Sequence, residues 1–528
     1  MMGPISILGV ARKDPFDWRT FSGSAGRPVR PEQALDMETA ADRRHRLIVV
    51  AILLVALAVR LWNLGAKSLW LDEAFSLELA SRSLRQILTN TSEINPPLYY
   101  ALLHGWIARF GISEVALRSL SVVFGVFSVA LTGWVGSLLG GKGLARWSMA
   151  LMAVMPMPVE HSQMARTYSL FLAASLASYG CLLAWEQRRH RRWAIGYVIA
   201  TILMCYAHHY GIFNLLAQQL YMGFQAQQPR VSLRKWLGLS VAVLLGYLPW
   251  LVVVVTQTFR LHHQGFWIPR PDLASLLDTV RQYVTFGVGE HLVWGYLLLA
   301  VLGFLNLKAR KTAGLLLGWW LCPLLVPFAW SRIGMPIFWP RYTIAAVPAL
   351  CFLIGQGVLS LASRIVKGLV VIALTIVAVA SLSTYYPYEE EAWRSLVATV
   401  ESSLQSDDAI AVSVLPYCPS PFIYYYRSRA PFKIFSPQLS DDDTNTFDQQ
   451  IRQLVSGHKR LWIVLKKEPL QTGGRLLTDA FLERYPDATL ISERHFPWNL
   501  FVYGYELPVP PPQNSNMDQI PEERRVDT

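Results

Sequence analysis

Apolar residues run continuously rather than in alternation from about residue 46 to residue 386, and short polar stretches rich in Arg, Lys, His and Trp separate the runs. A helix needs roughly 17 to 25 apolar residues to cross a bilayer. Eleven segments approach that length: residues 46–64, 119–139, 144–159, 168–186, 193–209, 211–225, 236–256, 292–306, 313–330, 342–362 and 368–386, of which the third and sixth are short. The pattern predicts an α-helical polytopic membrane protein with about eleven transmembrane helices. Pro97 to Gly111, "PLYYALLHGWIARFG", imitates a further span, but counting it would reverse the side of every later loop. It is expected instead as a surface-lying helix in a long first loop, opened by Pro96 and Pro97, because proline suits a first helical turn.

Short cytoplasmic loops collect Lys and Arg, and this fixes an expected orientation. With Arg43, Arg44 and Arg46 inside, the same side receives Lys142 and Arg146, then Arg188, Arg189, Arg191 and Arg192. Arg230, Arg234 and Lys235, then Lys308, Arg310 and Lys311, then Arg364 and Lys367 follow on that side. Composition agrees: of 528 residues, 53% are hydrophobic and only 16% charged, too apolar for an ordinary soluble chain. The net charge of +12, which alone suggests an anionic partner, is largely absorbed by topology, so no nucleic acid is expected. The five cysteines are widely spaced, without pairing or metal-ligand intervals, and read as packing residues.

The expected organisation is a disordered cytoplasmic tail over 1–42, a membrane domain over 43–387, an α/β domain over 388–506 and a disordered tail over 507–528. The tail over 1–42 lacks the apolar core and cleavage site of a signal peptide. An odd number of spans places 388–506 outside the cytoplasm. There "EAWRSLVATVESSL", "FDQQIRQLVSG" and "RLLTDAFLERY" read as helices, and "AIAVSV", "RLWIVLKK" and "NLFVYGYEL" as strands. The aromatic run "FIYYYR" reads as a buried strand.

The spans hold few ionisable side chains, which argues against a transporter. Polar residues gather in the loops assigned to the outside: Asp72, Glu73, Glu93 and Asn95, then Glu160, His161, Gln163 and Arg166. His208, His209 and Tyr210, then His262, His263, Trp267, Arg270, Arg332, Trp339 and Arg341 complete the set. Carboxylates and arginines on one face suit a transfer from an anionic lipid-anchored donor, since a carboxylate accepts the acceptor's proton and arginine holds phosphate bidentately.

The order of "WLDEAFS", "NPPLYYALLHGW", "EHSQMARTYSLF", "YAHHYG" and "FWPRYTIAAVPAL" resembles the C-type membrane glycosyltransferases, and within them family 39, which includes the protein O-mannosyltransferases and the transferases that put aminoarabinose on lipid A. The resemblance covers roughly residues 45–400 and extends to "EAWRSL". It implies a polyprenyl-phosphate-linked sugar as donor, inversion at the sugar carbon, a glycan, lipid or protein acceptor, and a bacterial inner membrane surrounded by membrane lipids. It also implies that Asp72 is the catalytic base, with Glu73 beside it. The chain departs from the family pattern at Met164, where a Glu is common, so that any role of that carboxylate is lost or passes to Glu160. It departs again at Asn95 and at Ala392.

Each residue also has a plainer reading. Asp72 could cap the helix that follows it, and Glu73 could be a first-turn acid. Arg166, Tyr168 and Arg341 are candidates for donor phosphate but equally for interfacial anchors. His208 and His209 are candidates for donor binding or satisfied interfacial histidines. Glu160, His161, Gln163 and Asn95 are acceptor or loop candidates. No cofactor is firmly implied; a divalent metal among Asp72, Glu160, His161, His208 and His209 is chemically conceivable, though no compact ligand spacing appears. A lipid-linked sugar flippase and a non-enzymatic scaffold are the alternatives to an enzyme.

Overall fold

The computed structural model describes residues 31–89, 95–226, 232–264, 268–413, 420–435, 444–466 and 477–508. Glu93, Arg230, Trp267 and the side chains of His262 and His263 lie outside the described residues, as do most of the two segments read as tails. The chain forms two compact units, Met1–Ile48 and Val49–Thr528. Among the described residues the first helix is Pro31–Leu61, which includes part of the stretch expected as tail.

All eleven apolar runs fall in helices, and among the described residues six helices are long and apolar enough to cross a membrane. The longest, Glu114–Val154, has 41 residues, which straight would measure about 60 Å, twice a hydrocarbon core. It breaks at Gly140 and Gly141, where φ 75° and ψ −169° at Gly141 are open only to glycine. The halves then fold back on each other so tightly that a Cβ on Gly136 would sit 2.8 Å from the Ala145 Cα. The two halves are the separate apolar runs 119–139 and 144–159 of the sequence. Helices Leu292–Leu305 and Val347–Ser360 cross as closely, since a Cβ on Gly303 would lie 1.9 Å from the Leu353 carbonyl oxygen. Small residues allow such contacts where no hydrophobic drive separates lipid from protein.

The segment Pro97–Gly111 is a helix, Leu98–Phe110, with Pro97 at its N-cap. Tyr99, Tyr100 and Leu103 face inward while Leu102 and Phe110 are exposed. The Tyr99 hydroxyl meets Ser121 Oγ at 2.9 Å, and Trp106 Nε1 donates to the Ala116 carbonyl at 3.0 Å, fastening the helix to Glu114–Val154.

Beyond the last long helix, Arg364–Tyr385, five strands form one sheet: β1 (Asp408–Ser413), β2 (Phe432–Phe435), β3 (Arg460–Lys466), β4 (Thr489–Phe496) and β5 (Leu500–Glu506). The order is β2-β1-β3-β5-β4. β1 runs parallel to β2 and β3, with Ile410 opposite both Phe432 and Trp462, whereas β5 runs antiparallel to β3 and β4. Alternate side chains go to opposite faces. Ile410, Val412, Trp462 and Val464 pack under helix Trp393–Ser403. Ala409, Ala411, Leu461 and Ile463 pack against Ile451, Leu454 and Phe481 of helices Thr444–Val455 and Leu477–Arg484. Helices on both faces explain why β1 is buried at every position.

One expectation fails here. "FIYYYR" is not a strand: Ser420–Tyr425 is a short helix. Its aromatic residues fit either period over so few positions, and the helical one lets Phe422 stack on Tyr426 at 5.0 Å, four residues on.

Candidate active site

The loop 62–70 leaves the first helix and delivers Asp72 and Glu73 into the first turn of helix Leu71–Ser81. Asp72 is not the cap of that helix. The N-cap position is Trp70, which has no side-chain oxygen to offer, and Asp72 stands two residues further in, so its carboxylate is free to face the loops opposite. Its Oδ2 lies 3.2 Å from Arg341 Nη2 and 3.6 Å from Arg166 Nη2. Arg166 also donates from Nη1 to the Asp72 carbonyl at 3.1 Å and to Ser76 Oγ at 3.3 Å. Residues 72, 166 and 341, far apart in sequence, thus form one cluster.

Aromatic rings hold the cations. The Arg341 guanidinium lies 5.1 Å from the Trp70 ring centre and 5.9 Å from that of Tyr168, and Arg166 lies 6.0 Å from Tyr168. Tyr168, 1% exposed, stacks on Tyr342. His208 packs against the rings of Phe171 and Tyr342, and its Nδ1 accepts the Tyr210 N–H at 3.2 Å. The Nε–H of both Arg166 and Arg341 is buried without a hydrogen-bond partner among the described residues. Each guanidinium therefore has one buried donor that neither Asp72 nor another described group satisfies.

Glu73 is separated from its neighbour. It is 0% exposed, and Arg118, 3% exposed, donates Nε to its Oε1 at 2.8 Å and Nη2 to its Oε2 at 2.6 Å. The Ala165 N–H adds a third bond at 2.8 Å. With both oxygens occupied, this carboxylate ties the Asp72 helix to helix Glu114–Val154 and to the Arg166 loop. Adjacent to Asp72 as expected, it borders the smaller of the two cavities beside the cluster but is held by structural partners on both oxygens. Arg118 further donates to the carbonyls of Leu64, Lys67 and Ser68.

A cavity of about 360 Å³ opens beside the cluster, lined by Arg341, Trp339, Glu160 and His161, and by Asp278 and Gln282 of helix Leu273–Val284. Glu160 and Glu390 line both it and a smaller cavity reaching Lys67. Burial pushes Glu160 up to about 7, opposed by Lys67 and Arg341, and pushes Glu390 up to about 8. Burial likewise lowers Lys67 to about 8. His161 is lowered to about 3 by burial and is neutral, with Nδ1 3.0 Å from the Met157 carbonyl. Met164 borders the same cavities, so a carboxylate near this point is supplied by Glu160.

Other candidates are engaged elsewhere. Gln163 donates Nε2 to the carbonyls of Arg60 and Trp62, closing the end of the first helix, and also lines the smaller cavity. Asn95 and His209 are half-buried and line neither cavity. Among the described residues no group of three His, Cys, Asp or Glu is arranged to hold a metal ion. Sequence reading missed Arg118 and Arg60, both inside apolar helices; Arg60 is 0% exposed and donates to the Met152 and Ala153 carbonyls and to Ser162. It also missed Glu390. The signal was the run Glu389-Glu390-Glu391 directly after the last apolar segment.

No protein-family model matches the sequence, and no curated protein matches it. Solved structures do. ArnT from Cupriavidus metallidurans in its apo state superposes with a TM-score of 0.56 at 14% identity, covering 86% of this chain and 97% of that one. The same protein bound to undecaprenyl phosphate gives 0.55 at 15% identity, with the same coverage. The archaeal oligosaccharyltransferase AglB from Archaeoglobus fulgidus, in complex with an inhibitory peptide and a dolichol-phosphate, gives 0.53 at 10% identity over 80% of this chain and 69% of that one. The chain has the fold of the C-type membrane glycosyltransferases. A C-type fold is what the order of motifs led one to expect, and it makes the protein a multi-pass membrane protein whose helices carry a small C-terminal sheet.

Proposed function

We propose that this protein is an integral membrane glycosyltransferase that moves a sugar from a polyprenyl-phosphate donor to a glycan, lipid or protein acceptor. The observation that carries the reading is the convergence of Asp72 with two arginines whose Nε–H has no partner among the described residues, beside a cavity of about 360 Å³. The fold adds support, since the ArnT structure was also determined with undecaprenyl phosphate and AglB with a dolichol-phosphate.

In the proposed reaction the acceptor oxygen or nitrogen attacks the anomeric carbon as the bond from that carbon to the phosphate oxygen breaks. The acceptor's proton passes to Asp72, and the electron pair leaves on the polyprenyl phosphate. That phosphate gains charge as it departs, and Arg166 and Arg341 are positioned to stabilise it. Attack opposite the leaving group inverts the sugar carbon in a single step. Glu73 holds the loop, and Tyr168 and His208 support the arginines from behind. Eleven spans, with the basic loops cytoplasmic and residues 388–506 on the far side of a bacterial inner membrane, fit the distribution of Lys and Arg.

The test is transfer of label from a panel of undecaprenyl-phosphate sugars in membranes containing the full chain. Asp72→Asn, produced at the wild-type level, should lose transfer by about two orders of magnitude or more, roughly the contribution of a general base. Full activity of that variant overturns the proposal.

A further inference from the structure

The helix that carries Asp72 begins without a side-chain cap of its own, because Trp70 occupies the N-cap position. The orphan amides of a first turn still need acceptors. The Leu71 N–H donates to Glu391 Oε2 at 3.0 Å, a residue 320 positions away. Glu391 is 5% exposed and is itself fixed: Lys466, at the end of β3, donates to its Oε1 at 2.6 Å, and Trp393 Nε1 donates to its Oε2. The preceding amides are treated alike. Ser68 N–H donates to Glu389 Oε1 at 2.7 Å, and Leu69 N–H to the Tyr425 hydroxyl at 2.7 Å. Arg394 takes the carbonyls of Gly65, Ala66 and Lys67. A buried carboxylate at a helix N-terminus satisfies an amide and complements the helix dipole at once.

We propose that Glu391, locked by Lys466, is the N-cap of the Asp72 helix supplied in trans by the C-terminal α/β layer, which makes that layer a positioning element for the reaction. This rests on Asp72 as the reacting carboxylate. Glu391 touches no reacting atom; it sets where the first turn, and with it Asp72, stands relative to Arg166 and Arg341.

Hydrogen–deuterium exchange on the purified full-length chain tests the cap without depending on activity. Glu391→Ala and Lys466→Ala should each speed exchange of amides 69–74 by about tenfold, the effect of losing a helix cap, while amides of β1 and β3 stay protected. Glu401→Ala, which removes an acceptor for the Arg427 and Ser428 amides elsewhere in the same layer, should leave 69–74 unchanged. Unchanged exchange at 69–74 in both cap variants, or a loss of protection spread evenly through the sheet, overturns the proposal. In the transfer assay the cap variants should lower kcat severalfold with KM for donor kept within about twofold, because the arginines remain. A variant that loses protection at 69–74 yet keeps full kcat also overturns it. If Asp72→Asn is fully active while 69–74 lose protection as expected, the reading of Asp72 fails and the cap stands.

Discussion

Asp72 and Glu73 are adjacent in sequence yet should behave oppositely when each loses its charge. Glu73 is 0% exposed and accepts three bonds, two from Arg118 at 2.8 and 2.6 Å and one from the Ala165 amide. Removing one member of such a buried pair leaves the other uncompensated and costs about 3–5 kcal/mol. The Asp72 side chain is 27% exposed, and its arginines stand at 3.2 and 3.6 Å. Asp72 is partly hydrated while Arg341 and Arg166 are 18% and 7% exposed, so losing its charge costs about 1–2 kcal/mol, between an exposed and a fully buried pair, and asparagine keeps one acceptor oxygen. Glu73→Gln should therefore lower the unfolding free energy by about 3–5 kcal/mol, and Asp72→Asn by about 1–2 kcal/mol. Reversible SDS unfolding in mixed micelles measures the stability of each variant, and sugar transfer normalised to folded protein measures its activity. Asp72→Asn should be stable and inactive; Glu73→Gln should be unstable, with the folded fraction retaining transfer. Pairing Glu73→Leu with Arg118→Leu should recover part of the loss, but not all, because Arg118 also serves the carbonyls of Leu64, Lys67 and Ser68. Equal destabilisation by Asp72→Asn and Glu73→Gln would refute the division of roles.

Replacing either Arg166 or Arg341 by lysine removes the planar fork, and the Kd for undecaprenyl phosphate, followed by tryptophan quenching, should rise roughly ten- to a hundredfold; an unchanged Kd refutes a phosphate role. Glu390 is pushed from 4.5 up to about 8 by burial, so the folded state holds a proton that the unfolded chain has released. Stability should consequently fall as pH rises from about 4.5 to about 8, and in thermal melts Glu390→Gln should exceed the wild type at the upper end and match it at the lower. Gly141→Ala places a Cβ where φ is 75° and ψ −169°, and should cost about 1–3 kcal/mol in the same SDS unfolding experiment.

The long-range order of this fold is written in hydropathy, which is why the helices over the apolar runs and the helix near residue 98 could be read directly. Asp72, Arg166 and Arg341 were also legible, since a charged residue at the end of an apolar run must find either water or a partner. What the sequence withheld were pairings across the chain. Nothing near Glu73 names Arg118, 45 residues on, and the charge inside an apolar helix is hidden by the average around it. The helix N-terminus misled for a related reason. Asp72 has the chemistry of a cap, but the helix starts earlier, with its N-cap two residues back at Trp70, and Glu391 supplies an acceptor from elsewhere. For "FIYYYR" six residues were too few to distinguish a period of two from one of 3.6.

The loop between the first helix and Asp72 has a further consequence, one of timing. Its amides and carbonyls are held by Glu389, Glu391, Arg394 and Tyr425, all synthesised last. At translation rates of about 5–20 residues per second, the 320 residues from Leu71 to Glu391 take about 15 to 65 s to make. Throughout that interval the membrane helices can insert and pack while the loop lacks its outer supports. On the proposed role of Asp72, the nascent chain carries that carboxylate through assembly in an uncommitted geometry, and the last quarter of the polypeptide to emerge would be the step that arms it.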